Sequence, residues 1–214
     1  MRVERARTAL AAAGIDVLYV DEDLVIVDKP CGTPSQSTRD GEPGVIDRLL
    51  RGGLQHACLA HRLDQPASGC LALGLSLEAA APLSAAFREH RAKRVYHVIL
   101  VGVLDAPVSW DRPLDGKRAR THVRPLATRS GFTACEVTLD TGRTHQIRRH
   151  AAMAGLPIAG DRRHGGDAGR AWPRLALHAV HLTLPHPVQG MPVEARAPLP
   201  ADLRQLSRLA GADA

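Results

Sequence analysis

Three short segments hold residue types whose spacing could do chemistry. The first is His61-Arg62-Leu63-Asp64-Gln65-Pro66-Ala67-Ser68-Gly69, directly before the apolar run that opens at Cys70. A carboxylate close to an arginine, on a Pro/Gly-rich loop entering the core, could serve as a nucleophile or as an acid/base held by a guanidinium. An arginine nearby lowers the pKa of an aspartate and keeps it ionised, which suits a nucleophile better than a general acid. Taken alone, a loop salt bridge with Asp64 capping a turn is the better reading. The second segment is Gly142-Arg143-Thr144-His145-Gln146-Ile147-Arg148-Arg149-His150. Here arginines gather at the start of an expected helix, where free N–H groups and the helix dipole already favour an anion. A purely structural helix places its cations at the other end. Ile147, Ala151 and Ala154 form the apolar stripe of that helix, with Arg148 at its edge and in reach of a pocket. The third is Arg91-Ala92-Lys93-Arg94-Val95-Tyr96, a basic turn entering a strand. By itself Tyr96 reads as a core aromatic with a hydrogen-bonded hydroxyl.

The elements that must position these groups alternate short strands with a few helices. Val17–Val20 and Leu24–Asp28 flank Asp21-Glu22-Asp23 as a hairpin. Residues 29–53 are rich in Pro, Gly, Ser and Thr, with a helical patch at Val45–Leu50. Cys70–Leu75 is a buried strand, and Ser76 caps a helix from Leu77 to about Arg91, with Pro82 an argument against one unbroken element. Val95–Leu104 is apolar on both faces and so a central strand, while Thr133–Leu139 alternates as a half-buried one. Thr144–Ala154 reads as a helix, Leu175–Leu184 as a strand and Ala201–Leu209 as a terminal helix. The pattern is α+β around a mixed, largely antiparallel sheet with flanking helices. A surface helix over residues 3–13, closed by Gly14, makes residues 1–16 an N-terminal extension and 17–214 the main domain. The basic, Ala-rich start looks superficially like a signal peptide, but Glu4 interrupts it and its apolar part stops at Asp16.

Composition narrows the partners. The chain has 214 residues, 28 Lys+Arg and 22 Asp+Glu, a formal net charge of +6. That excess suits a polyanion, although a solvated arginine-rich surface accounts for it about as well. Two Phe, two Tyr and two Trp are too few for a base-stacking sheet. Cys31, Cys58, Cys70 and Cys135 form no CxxC pair, which favours a reducing compartment and gives no support for structural zinc. Eleven histidines include no HExxH, so no metal is expected. No run approaches the ~20 apolar residues that span a bilayer.

In this order, the three segments resemble those of the RluA-type pseudouridine synthases, and the resemblance covers nearly the whole chain. Leu18-Tyr19-Val20-Asp21-Glu22-Asp23 followed by Val27-Asp28-Lys29-Pro30-Cys31-Gly32 is similar to the family's opening strand and its Lys-Pro-x-Gly turn. His61-Arg62-Leu63-Asp64 with Ser68-Gly69 matches the signature around the catalytic aspartate, and Arg94-Val95-Tyr96 the basic-x-Tyr motif. Gly142 to Arg148, then Gly155-Leu156-Pro157-Ile158 and Gly160-Asp161, match the third motif. Leu177-His178-Ala179 and His186-Pro187 resemble the closing strand. Five collinear motifs turn the reading of Asp64 from structural to catalytic. The chain departs from the family locally: Ala67 stands where Thr is usual, Arg94 where Lys is usual, and His164 where Tyr follows the Gly-Asp pair.

The resemblance implies an α+β pseudouridine synthase fold with a central catalytic cleft. It implies an enzyme that isomerises uridines of ribosomal or transfer RNA, needs no cofactor or metal, and works in the cytoplasm, with a monomer sufficing. Asp64 is then the catalytic carboxylate, Arg148 its partner, and Tyr96 the ring against the flipped uracil. Arg62 fills the gap left by the extruded nucleotide, and His61, Arg143, Ile147, Lys29 and Arg94 complete the substrate-binding set. No S4-type RNA-binding module fits in the residues before Val17, so the catalytic domain itself must choose the substrate. Two rival readings are a non-catalytic RNA-binding or chaperone protein of the same fold, and a carboxylate-dependent N-glycosidase that releases free uracil.

Overall fold

The computed structural model describes residues 1–212. Its first elements are α1 (Arg2–Ala12), β1 (Asp16–Val20), β2 (Leu24–Lys29), α2 (Val45–Arg51), β3 (Cys58–Leu59), β4 (Ser68–Gly74) and α3 (Leu77–Arg88). They continue with β5 (Lys93–Val101), β6 (Val108–Trp110), β7 (Thr121–Arg129), β8 (Phe132–Leu139), α4 (Gln146–Met153), β9 (Leu177–Pro185), β10 (Pro192–Arg196) and α5 (Ala201–Leu209). The class is α+β, with helices flanking a mixed sheet, as the sequence predicts. The chain folds as two compact units, Met1–Lys93 with His181–Ala197, and Arg94–Val180 with Pro198–Ala214.

In the first unit β2 lies between β1 and β4, antiparallel to both. Leu24, Val25, Ile26 and Val27 are fully buried, because a strand paired on both edges and covered on both faces has no wet side. α1 packs on α2 and β1 through buried Ala6 and Leu10. The Ser76 hydroxyl accepts the Ala79 N–H at 3.1 Å and caps α3 as expected. Contrary to expectation, α3 runs unbroken through Pro82; this residue and Glu78, whose carbonyl it leaves without a helical donor, are both exposed. The helix stops at Arg88, before His90 takes a left-handed φ of 60°.

One carboxylate ties two turns of this unit together. Asp21 Oδ1 accepts the N–H groups of Asp23 and Leu24, both at 2.8 Å, which shapes the β1–β2 turn. Asp21 Oδ2 accepts from the Tyr19 hydroxyl at 2.6 Å and from His186 Nε2 at 2.7 Å. His186 Nδ1 accepts from the Val188 and Gln189 amides in the β9–β10 turn, so its proton sits on Nε2, towards Asp21. The bond to Asp21, with burial and the carboxylate charge, pushes the Tyr19 pKa up to about 12.

In the second unit the strand order is β5-β8-β7-β6, all antiparallel. The sequence reading missed β3, β6, β7 and β10. β7 is mostly half-exposed and contains Pro125, accommodated where the register shifts between Pro125 and Ala127. α4 begins at Gln146 rather than at Thr144, because His145 takes a left-handed φ of 53°.

Burial alone raises the carboxyl pKa of Asp21, but its four donors hold it below the usual range. A carboxyl depressed in the folded state stabilises fully above its unfolded pKa, and loses that contribution as pH falls through the folded value. Asp21→Asn is expected to cost about 2 kcal/mol at neutral pH and to flatten the stability loss below about pH 4. Thermal melts across that range check it, and a profile like that of the wild type rejects it.

Candidate active site

The loop that carries Asp64 is held by its main chain. Pairing of Lys29 with Gly69 and of Asp28 with Cys70 brings the end of β2 against the start of β4, so residues 29–35 run beside residues 63–68. Every carbonyl from Leu63 to Ala67 has a donor. Ser35 Oγ donates to the Leu63 carbonyl at 3.0 Å and accepts the Leu63 N–H at 3.1 Å. The Asp64 carbonyl accepts the Ala67 N–H at 3.0 Å, closing a turn, and the Gln65 carbonyl accepts the Gly32 N–H at 2.9 Å. Cys31 Sγ donates to the Pro66 carbonyl at 3.2 Å. The Lys29 ammonium reaches the carbonyls of Pro30, Thr33, Gln65 and Ala67 at 3.0, 2.7, 3.2 and 2.5 Å. Lys29 is 0% exposed, whereas Asp64 is half-buried and Arg62 exposed. The clamp therefore fixes the backbone of the loop on which the half-buried Asp64 stands.

In the second unit the Arg148 guanidinium makes a bidentate bond to Asp161, Nε to Oδ2 at 3.0 Å and Nη2 to Oδ1 at 2.8 Å. Their side chains are 5% and 1% exposed, so the fork geometry operates with little water to weaken it. The Arg163 and His164 amides add to Asp161 Oδ1, each at 3.1 Å. Burial works to raise the Asp161 pKa; Arg148 and these two amides outweigh it and hold the carboxyl below its ordinary value. Gly160 makes the turn possible: at φ 76°, a Cβ there would lie 1.7 Å from the Arg174 carbonyl oxygen. Asp161 takes two of the five N–H donors of the guanidinium, and places the rest of that planar group.

Residues 23–153 match the family model for RNA pseudouridylate synthases. The chain belongs to that family. A ribosomal large subunit pseudouridine synthase D of Pseudomonas aeruginosa is 31% identical over 91% of this chain and 71% of its own. An uncharacterized RNA pseudouridine synthase of Zymomonas mobilis is 37% identical over 86% of this chain and 93% of its own. The solved structure of human RNA pseudouridylate synthase domain containing 4 has the same fold, with a TM-score of 0.73 over 98% of both chains at 23% identity. That of domain containing 1 has a TM-score of 0.73 over 92% of this chain and 86% of its own, at 24% identity.

In this pseudouridine synthase the other expected site residues fall into two groups. Arg143 is exposed, and Arg94 is half-buried with its guanidinium against Gly142, where an added Cβ would meet Nη1 at 3.3 Å. Tyr96 is 5% exposed and lies opposite Val137 on β5. Of Lys29, His61 and Ile147, also expected at the substrate, Lys29 and Ile147 are buried and His61 is half-buried. Lys29 holds the loop, and Ile147 is buried on α4. His61 stacks on Phe87 with ring centroids 4.1 Å apart and accepts the Ala72 N–H on Nε2 at 2.9 Å. The sequence reading missed Ser35 and Asp161 as positioning groups; Asp161 carried a signal as part of the Gly160-Asp161 motif, and Ser35 carried none. The departures from the family also find their places. The Ala67 methyl is buried while its carbonyl meets Lys29. His164 bonds to His145 at 2.8 Å, keeping a polar group where Tyr is usual. Among the described residues no group of three or more His, Cys, Asp or Glu is arranged to hold a metal ion.

Removing the Lys29 ammonium takes the ammonium donor from the Thr33 and Ala67 carbonyls, at about 1–3 kcal/mol for each that is buried. Lys29→Met is expected to lower the denaturation midpoint and to cut turnover with it; full stability in a urea titration rejects the clamp. Asp161→Asn leaves Arg148 without its carboxylate and is expected to cost on the order of 3 kcal/mol. It should also lower turnover under conditions where the variant is fully folded. A variant as stable and as fast as the wild type rejects the positioning role of Asp161.

Proposed function

We propose that this enzyme isomerises specific uridines of ribosomal or transfer RNA to pseudouridine, with Asp64 as the catalytic carboxylate acting on a flipped-out base. The observation that supports it most is the Asp64 loop: its main chain is bonded at every carbonyl from Leu63 to Ala67, and Asp64 itself is only half-buried. Catalysis by positioning asks for a reacting group of this kind, fixed in space and open to substrate. The names of the bacterial relatives favour ribosomal RNA.

The reaction breaks the bond between ribose C1′ and uracil N1, turns the base, and joins C1′ to C5, with the C5 hydrogen leaving as a proton and N1 taking one up. RNA mass is unchanged and no redox partner is needed. An ionised carboxylate beside the glycosidic bond serves attack on the sugar, attack on the base, or removal of a sugar proton alike. On this reading Arg148 fixes the charge and orientation of Asp64. Tyr96 lies against the uracil and assists proton transfer. Arg62 enters the stack in place of the extruded nucleotide, since the reacting atoms are blocked inside a helix. Arg94 and Arg143 contact the RNA, while Lys29, His61 and Ile147 support the groups that do. The enzyme acts as a cytoplasmic monomer without metal or cofactor.

Asp64→Asn is nearly isosteric and is expected to abolish tritium release from 5-tritiated uridine in RNA while folding and RNA binding persist. Substantial release by this variant overturns the assignment of Asp64. Free uracil formed by the wild type overturns isomerisation in favour of glycosidic cleavage.

A further inference from the structure

The segment between β6 and β7, residues 111–120, reads Asp-Arg-Pro-Leu-Asp-Gly-Lys-Arg-Ala-Arg. Its tip is a tight two-residue turn. Leu114 and Lys117 exchange N–H to carbonyl bonds of 2.9 and 3.0 Å around Asp115 and Gly116, whose φ values are 52° and 70°. Leu114 and Ala119 are buried and anchor the segment from below.

The residues of α4, and those just before it, grip this segment mostly through its main chain. Arg143 Nε donates to the Arg118 carbonyl at 3.0 Å, and Gln146 Nε2 to the Arg120 carbonyl at 2.9 Å. His150 Nε2 lies 2.9 Å from the Arg112 carbonyl and must be the donor there, since a carbonyl only accepts. The Arg120 N–H donates to Thr141 Oγ1 at 3.0 Å, and that hydroxyl donates to Gln146 Oε1 at 2.6 Å. One side chain of the segment takes part: Asp115 accepts a bidentate pair from Arg149 at 2.8 and 2.9 Å.

Because the docking bonds fall on the backbone, the cations of the segment are not needed for it. Arg112, Lys117 and Arg118 are exposed and Arg120 is half-buried. With Arg143 and Arg149 they make six cations against three carboxylates, those of Asp111, Asp115 and of Asp140, whose N–H donates to the Arg120 carbonyl at 3.3 Å; of the six, Arg149 is paired with Asp115. Such a concentration of like charge costs stability by self-repulsion, and neutral side chains would dock the segment equally well. A polyanion lying across it removes that cost.

We propose that residues 111–120 form a preformed ledge for the phosphates of the substrate RNA, on which Arg112, Lys117 and Arg118 take backbone oxygens beside the target uridine. The ledge rests on the RNA reading above and deepens it. Its position follows from α4, the helix that also carries Arg148, so an RNA laid on the ledge is registered against the same helix. Phosphate contacts of this kind fix register without reading sequence. A backbone fixed before the RNA arrives also spares the ordering entropy that a mobile loop would lose on binding.

The test is filter binding of fragmented large-subunit ribosomal RNA to the full chain over a series of potassium chloride concentrations. Lys117→Ala/Arg118→Ala is expected to weaken binding several-fold and to make the plot of log affinity against log salt shallower by about 1.5–2. Arg204→Ala/Arg208→Ala removes the same charge from the exposed face of α5 in the same unit, and is expected to keep the affinity and slope of the wild type. Binding by the ledge variant equal to that of the wild type overturns the ledge. So does an equal loss in the α5 variant, which would make the effect one of net charge alone. Either result leaves pseudouridine formation by the wild type, and hence the function proposed above, intact. A wild type that binds no RNA overturns both.

Discussion

A positive charge withdrawn from water must be met by oxygen atoms that are already held in place, and each unit is organised around one such charge. In the first it is the Lys29 ammonium, whose carbonyl partners belong to two stretches of chain more than thirty residues apart in sequence. In the second it is the Arg148 guanidinium, fixed by a carboxylate that is itself fixed by two amides. The acceptors cannot drift without exposing an unpaired charge to a low dielectric. Both arrangements therefore behave as rigid joints. In one the held object is the Asp64 loop, and in the other it is the helix that grips a basic segment and carries Arg148.

Much of this was legible in the sequence, for reasons tied to particular residues. The run Cys70–Leu75 announces a buried strand because an unbroken apolar stretch has no wet face to serve. Ser76 announces a helix start because its hydroxyl can satisfy an otherwise orphaned amide. β7 stayed hidden because it alternates weakly and contains a proline, and its pairing rests on its neighbours rather than on its own composition. The true start of α4 stayed hidden because a non-glycine left-handed residue, His145, carries no sequence marker.

The site divides in the same way. Arg62 and Arg143 are exposed and Arg94 and Asp64 half-buried, groups whose types suggest contact from the sequence alone. Lys29 and Asp161 act from the interior, and a sequence does not say which cations and carboxylates are sealed from water. The departure at Ala67 bears on this point. Loss of the usual hydroxyl threatens loop rigidity only if that hydroxyl is what fixes the loop; here Ser35, Cys31 and Lys29 bond the main chain before and at the position.

The path of the chain between the two units has a consequence for biosynthesis. Residues 1–93 form most of the first unit, but its last strand, β10, comes from the segment 181–197, with the Cys70 thiol against the Ala195 carbonyl. A ribosome delivers the polypeptide from the N-terminus, and domains that are contiguous in sequence can fold as they emerge. This one cannot. The part bearing Asp64 has to wait, unfinished, while nearly the whole of the second unit is synthesised. The hairpin of β9 and β10 closes it only once residues 181–197 have been added.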